Sequence, residues 1–175
     1  MNADSRWLPL AACNILLLAL AAMVNDGLAP WNISLFLAGP CMVWAGLRLG
    51  AGGLIACILI SGLAGHASWP APPGFLVTLF TLGSAIVITT RPWIGRTGRS
   101  FQVILAWLLN AAYFASFTGW AALHDGSAVF WERAAVDLCL SQLFVLPVAL
   151  WFFALQESVL RFAGFPVMQD PATSS

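Results

Sequence analysis

The sequence predicts an all-α integral membrane protein: one bundle of six transmembrane helices over residues 1–175, with both termini on the cytoplasmic side. Three observations predict it. The chain is 61% apolar and 8% charged, where a soluble domain carries roughly 25% charged residues. Its charges are gathered into short segments separated by long uncharged runs. Its arginines fall almost entirely on alternate segments, as the positive-inside rule requires of a polytopic chain. With no lysine and a net charge of +0, the composition also excludes a nucleic-acid binder working through a basic face, a disordered chain and an ordinary cytosolic enzyme.

The spans follow in order. No Asp, Glu, Lys or Arg stands between Arg6 and Asp26, which places the first helix at about 7–24. Its apolar run exceeds the roughly 7–15 residues of a signal-peptide core, so it is expected to be a retained helix. The second run, between Asp26 and Arg48, gives a helix at about 30–47. The run between Arg48 and Arg91 is long enough for two crossings of a ~30 Å core at about 1.5 Å per residue. The turn-forming stretch from His66 to Gly74, rich in proline, divides it into helices at about 50–66 and 74–90. The remaining runs place helices at about 102–123 and 135–157, with Pro147 expected to kink the last and free a carbonyl. The runs are continuously apolar rather than alternating, which selects helices over a β-barrel.

This topology puts Arg6, Arg48, Arg91, Arg96, Arg99 and Arg161 inside, and leaves only Arg133 outside with Asp26, Asp125 and Glu132. Of the nine tryptophans, all but Trp107 lie within a turn or two of an expected helix end, where an indole suits the headgroup level.

Few residues are candidates for chemistry. Cys13, Cys41, Cys57 and Cys139 lie in apolar runs with no CxxC pair, as packed small hydrophobes do. His66 and His124 close two spans beside outer loops, with no third ligand in sequence to make a metal site. Asp137, with Ser141 one turn deeper, reads either as a proton or ligand site or as an acid favoured at a helix start and open to water. HExxH, GxSxG, P-loop, dinucleotide fingerprint and paired intramembrane aspartates are all absent, so neither catalysis nor a cofactor is expected. Asn110 falls near the middle of the fifth span, beside a small-residue stripe at Ala111, Ala115 and Gly119. Such a stripe lets another helix approach closely, either within the bundle or on a partner protein. Arg91, Arg96 and Arg99 form a basic inner loop, read as a topology determinant or as a contact for anionic lipid or a cytosolic partner.

The stretch from Trp44 to Arg99 carries a likeness. Gly53-Leu54, Gly62-Leu63, Pro73-Gly74-Phe75 and the arginine-rich inner loop, on a six-span chain of this length, resemble the rod-shape-determining MreD family of bacterial inner-membrane proteins. Members often carry an Asp in the third span, about where Ser61 and Gly62 stand here. The resemblance implies a non-enzymatic part of the cell-elongation machinery, acting with the bitopic protein MreC and, through it, with RodA, a transpeptidase and MreB. It carries over no catalytic or ligand residue. The chain is also similar to the substrate-binding S components of energy-coupling-factor vitamin transporters. That likeness implies an outward pocket, for which Asn32, His66, Trp69, His124, Asp125 and Trp131 are the available residues, and a docking stripe at Ala11, Ala12, Ala19 and Ala22.

Overall fold

The computed structural model describes residues 5–66, 72–94, 98–123 and 128–165. Six α-helices account for most of them: α1 (Trp7–Leu28), α2 (Gly39–Arg48), α3 (Ala51–His66), α4 (Phe75–Ile94), α5 (Gly98–Ala122) and α6 (Ala128–Phe162). Four of these, α1, α4, α5 and α6, are long and apolar enough to cross a membrane, and α3 is a shorter apolar helix. The chain is therefore an all-helical membrane protein.

The helices close into a ring. α1 packs on α3, α3 on α4, α4 on α5, α5 on α6 and α6 on α1, while α2 touches all five. The ten-residue α2 is thus the axle of the bundle, and every residue from Gly39 to Gly46 is buried. A helix apolar on all sides belongs in such a position. The core forms around it, with Cys41, Met42, Val43 and Ala45 in one buried cluster with Phe80, Val87, Ala106, Phe152 and Phe153. The outer surface is apolar instead, with Leu8, Met23, Leu63, Leu82, Leu108 and Leu143 all more than half exposed. Polarity runs the other way, since Asn14, Ser61, Asn110, Ser141 and Gln156 are fully buried. A soluble protein sorts its residues in the opposite sense.

The expected second helix at 30–47 is corrected by the structure. After α1 the chain makes a short 3-10 turn, Ala29–Trp31, and Asn32 closes it in the left-handed conformation (φ 54°). Asn is among the few residues that adopt this conformation readily. Residues 33–38 are without helix, and α2 begins only at Gly39, with Pro40 in its first turn. Pro40 gives the physical reason. In a continuous helix its ring would clash with the Phe36 carbonyl and leave that oxygen without its usual donor. As the second residue of a new helix, a proline removes no hydrogen bond.

The last two helices extend further than the charge pattern implies. α5 starts at Gly98 rather than near 102, and α6 runs for 35 residues through Pro147, which lies on its exposed face. Arg99 and Arg161 flank Glu157 on these extensions, Arg99 at 3.5 Å, so charges that mark a span end in sequence are carried on helix.

Candidate functional site

An extended segment inside an apolar bundle must find partners for its amides, because no water is there to supply them. Ser34, Leu35, Phe36 and Gly39 find them in side chains from three helices. Asn25, on α1, accepts from the Leu35 N–H at 2.7 Å and donates to the Leu35 carbonyl at 2.9 Å. Asp137, on α6, accepts from the Ser34 N–H at 3.1 Å and from its hydroxyl at 2.9 Å. The Ser141 hydroxyl, one turn further along, accepts from the Phe36 N–H at 2.9 Å.

Asn110, on α5, completes the set. Its Oδ1 accepts from the Gly39 N–H at 3.0 Å, and its Nδ2 donates to the Phe36 carbonyl at 2.8 Å. The oxygen that Pro40 would orphan is therefore served by an amide on another helix. Gly39 allows the approach, since a Cβ there would lie 2.4 Å from the Ala106 carbonyl oxygen and 2.6 Å from the Asn110 backbone nitrogen. Pro40, Gly39 and Asn110 act as one device: the first breaks the helix, the second brings it against α5, and the third replaces the lost hydrogen bonding.

The far end of α2 is capped in the same way. The Arg91 guanidinium donates from Nε to the Gly46 carbonyl at 2.7 Å and from Nη2 to the Leu49 carbonyl at 2.8 Å. These carbonyls at the end of α2 lack helical donors, and a cation there also matches the helix dipole. Arg48 lies over the Trp44 ring at 5.1 Å, and the indole donates to Gln102 at 3.1 Å. Trp44 is thus buried inside the bundle, 4% exposed, one turn before the end of α2.

A second polar cluster joins α1, α3 and α6. Asn14 donates to the Ser61 hydroxyl at 3.0 Å and to Cys57 Sγ at 3.5 Å, and Gln156 donates to Asn14 Oδ1 at 3.3 Å. Ser61 is thus the acceptor in a wholly buried cluster.

The residues singled out in the sequence separate accordingly. Asn110 is fully buried and committed to α2, Ala111 is half-buried, and Ala115 and Gly119 are exposed on the outer face of α5. Asp137 is 6% exposed and stands in the third turn of α6, because the helix starts at Ala128 rather than near 135. A first-turn dipole contact does not describe it. Arg91 and Arg99 make the contacts given above, while Arg96 lies outside the described residues, as do Trp69, His124 and Asp125. Among the described residues no three His, Cys, Asp or Glu side chains group as metal ligands. Cys13, Cys41 and Cys57 are buried and Cys139 is exposed on the apolar exterior.

Asn14, Asn25, Ser34 and Gln156 were missed by reasoning that looked for ionisable groups at membrane depth. The available signal was neutral: an amide side chain within an apolar run is also costly to bury without a partner. No protein-family model matches the chain, nor does any curated protein or solved structure.

Proposed function

We propose that this chain is a non-enzymatic component of the bacterial inner membrane that docks partner proteins through its transmembrane helices, with the cell-elongation machinery as its setting. The resemblance of Trp44–Arg99 to the MreD family supplies the setting. The observation that carries the docking role is the face on which the small-residue stripe of α5 lies. The neighbouring line of Asn110, Phe114 and Thr118 is buried in the bundle, with Gly39 packed closely on Asn110. On the stripe itself Ala115 and Gly119 face outward, and a Cβ at Gly119 would meet no atom within 4 Å. Small residues facing lipid leave room for another helix to approach closely. The hydrogen bonding of Asn110 and Ser141 supports the same reading, since it assigns these side chains to holding the fold.

Six crossings are consistent with the broken second one. Six extended residues reach at most about 20 Å and a ten-residue helix about 15 Å, together enough for a ~30 Å core. With six crossings and the N-terminus inside, Arg91 and Arg99 are cytoplasmic.

The experiment is affinity purification of the full chain from a bacterial membrane in mild detergent, with identification of the bound chains. A bitopic periplasmic partner and a peptidoglycan polymerase are expected. Ala115→Leu is expected to lose the bitopic partner while the melting temperature of the isolated protein stays unchanged, because the added side chain meets no neighbour in the bundle. Full retention of the partner by Ala115→Leu would remove α5 from the interface.

One observation favours a second reading, that of a transporter S component. An open groove of about 450 Å³ lies at Trp31, Asn32, Glu132 and Arg133, within the size of known ligand sites. Of the residues expected to line such a pocket, Asn32 does so, whereas His66 and Trp131 do not. Co-purification with ATPase subunits, or a vitamin retained in the native mass spectrum, distinguishes this reading from the first.

A further inference from the structure

Beside the pinned segment, between the ends of α5 and α6, lies a recess of about 200 Å³. Phe114, Phe117 and Phe130 form its apolar walls, and Ser34, Thr118, Arg133 and Asp137 bring polar groups to it. We propose that this recess binds a primary ammonium and an oxyanion carried on one apolar body: a zwitterionic amphiphile whose anionic group meets Arg133 and whose ammonium meets Asp137. The inference is independent of the docking role.

The charges make the argument. Asp137 and Arg133 are one helical turn apart on α6, where opposite charges commonly pair, yet they form no ion pair. Asp137 is held instead by Ser34, one hydrogen bond to each oxygen. A carboxylate offers about four acceptor sites, so this leaves capacity for a further donor. The Arg133 guanidinium, with five donors, is exposed and has no hydrogen-bond or ionic partner among the described residues. The wall therefore presents a fixed anion and an uncommitted cation about 6 Å apart along the helix.

Complementarity narrows the ligand. A plain anion would bring its charge towards Asp137, and a plain cation would meet Arg133. A quaternary ammonium has no hydrogen to donate to the carboxylate, whereas a primary one does and also gains from the faces of the phenylalanines. The volume is the share of roughly seven waters and below the ~300 Å³ at which drug-sized pockets begin, which suits a headgroup or a small solute. Trp131 is half exposed beside it, and Trp120 packs on Phe117 at 6.2 Å. Indoles so placed mark the headgroup level of a bilayer. Two sources offer this chemistry: the ethanolamine phosphate head of an aminophospholipid, and a free aromatic amino acid.

The test uses the full chain in nanodiscs of equimolar phosphatidylethanolamine, phosphatidylcholine and phosphatidylglycerol, with retained lipids read by native mass spectrometry. A parallel arm measures melting in phosphatidylcholine nanodiscs with L-phenylalanine, its carboxamide, or 3-phenylpropionate. Selective retention of phosphatidylethanolamine assigns the site to a lipid; stabilisation by L-phenylalanine but by neither analogue assigns it to a solute. In either case Arg133→Gln, an exposed position, is expected to reduce the preference about tenfold, the scale of one charge-assisted hydrogen bond. Asp137→Asn, which retains an acceptor for Ser34, is expected to remove discrimination against phosphatidylcholine or 3-phenylpropionate. Failure of both arms overturns the proposal. Retention of phosphatidylglycerol at or above the ethanolamine lipid, or a preference that survives Arg133→Gln, overturns it equally.

Discussion

Replacing Asn110 by leucine is expected to destabilise the bundle by about 2–5 kcal/mol. Leucine matches the shape of the amide but removes both its donor and its acceptor. The Gly39 N–H and the Phe36 carbonyl then lose the hydrogen bonds they make to this amide, and a buried polar group left without a partner costs about 1–3 kcal/mol. Hydrogen bonds between membrane helices average only about 0.6 kcal/mol on removal, because chains unfolded within the membrane also find partners. The partners of Asn110 are different in kind. They are backbone groups at a helix break, and Pro40 leaves the Phe36 carbonyl without a helical donor in any helical reference state. A denaturant or thermal unfolding series in bilayer-mimetic discs measures the effect. Leu108→Ala, on the exposed face of the same helix, is the control and is expected to change little. A loss for Asn110→Leu no larger than the control would mean that the amide is not a structural pin.

Gly39→Ala is expected to cost about 1–3 kcal/mol, as overpacking of an interior does, although it adds only one methyl group. The new Cβ would meet the backbone of α5 at 2.4–2.6 Å. Backbone cannot rotate out of the way as a flexible side chain does, so α2 must withdraw from α5 and stretch both hydrogen bonds of Asn110. The same substitution at Gly52 has the opposite expectation. A Cβ there meets nothing within 4 Å, and alanine is the better helix former by up to ~1 kcal/mol. The pair, measured in one unfolding series, separates steric contact from helix propensity. Equal effects at the two positions would contradict the close approach of α2 to α5.

The particular residues explain what could be read in advance. The charge gaps located the helices of the ring, with the proline-rich turn from His66 to Gly74 needed to part α3 from α4, because excluding charge from lipid is a property of composition and needs no knowledge of the fold. They could not reveal the break before α2, since an uncharged run looks the same whether helical or extended. The local signal was Pro40, ten residues beyond Pro30 in a run whose lack of charge implies one helix. Asn110, Asp137 and Ser141 stood out as polar groups in apolar surroundings. Their role did not, because each acts on a segment more than 70 positions away in sequence. Pairings at such separation are set by the closing of the ring. The small-residue stripe shows the same limit: spacing places Asn110 beside the line of Ala111, Ala115 and Gly119, but only the packing of the bundle shows that Asn110 faces inward while Ala115 and Gly119 face outward.

The account rests on a crossing that is broken and held by side chains from its neighbours. Solid-state NMR of the isotopically labelled protein in lipid bilayers tests this directly through the Cα chemical shifts of Leu35, Phe36 and Leu37. Shifts to the extended side of random coil at these residues, turning helical from Pro40 to Arg48, are predicted. An unbroken run of helical shifts from Pro30 to Leu47 would contradict the account.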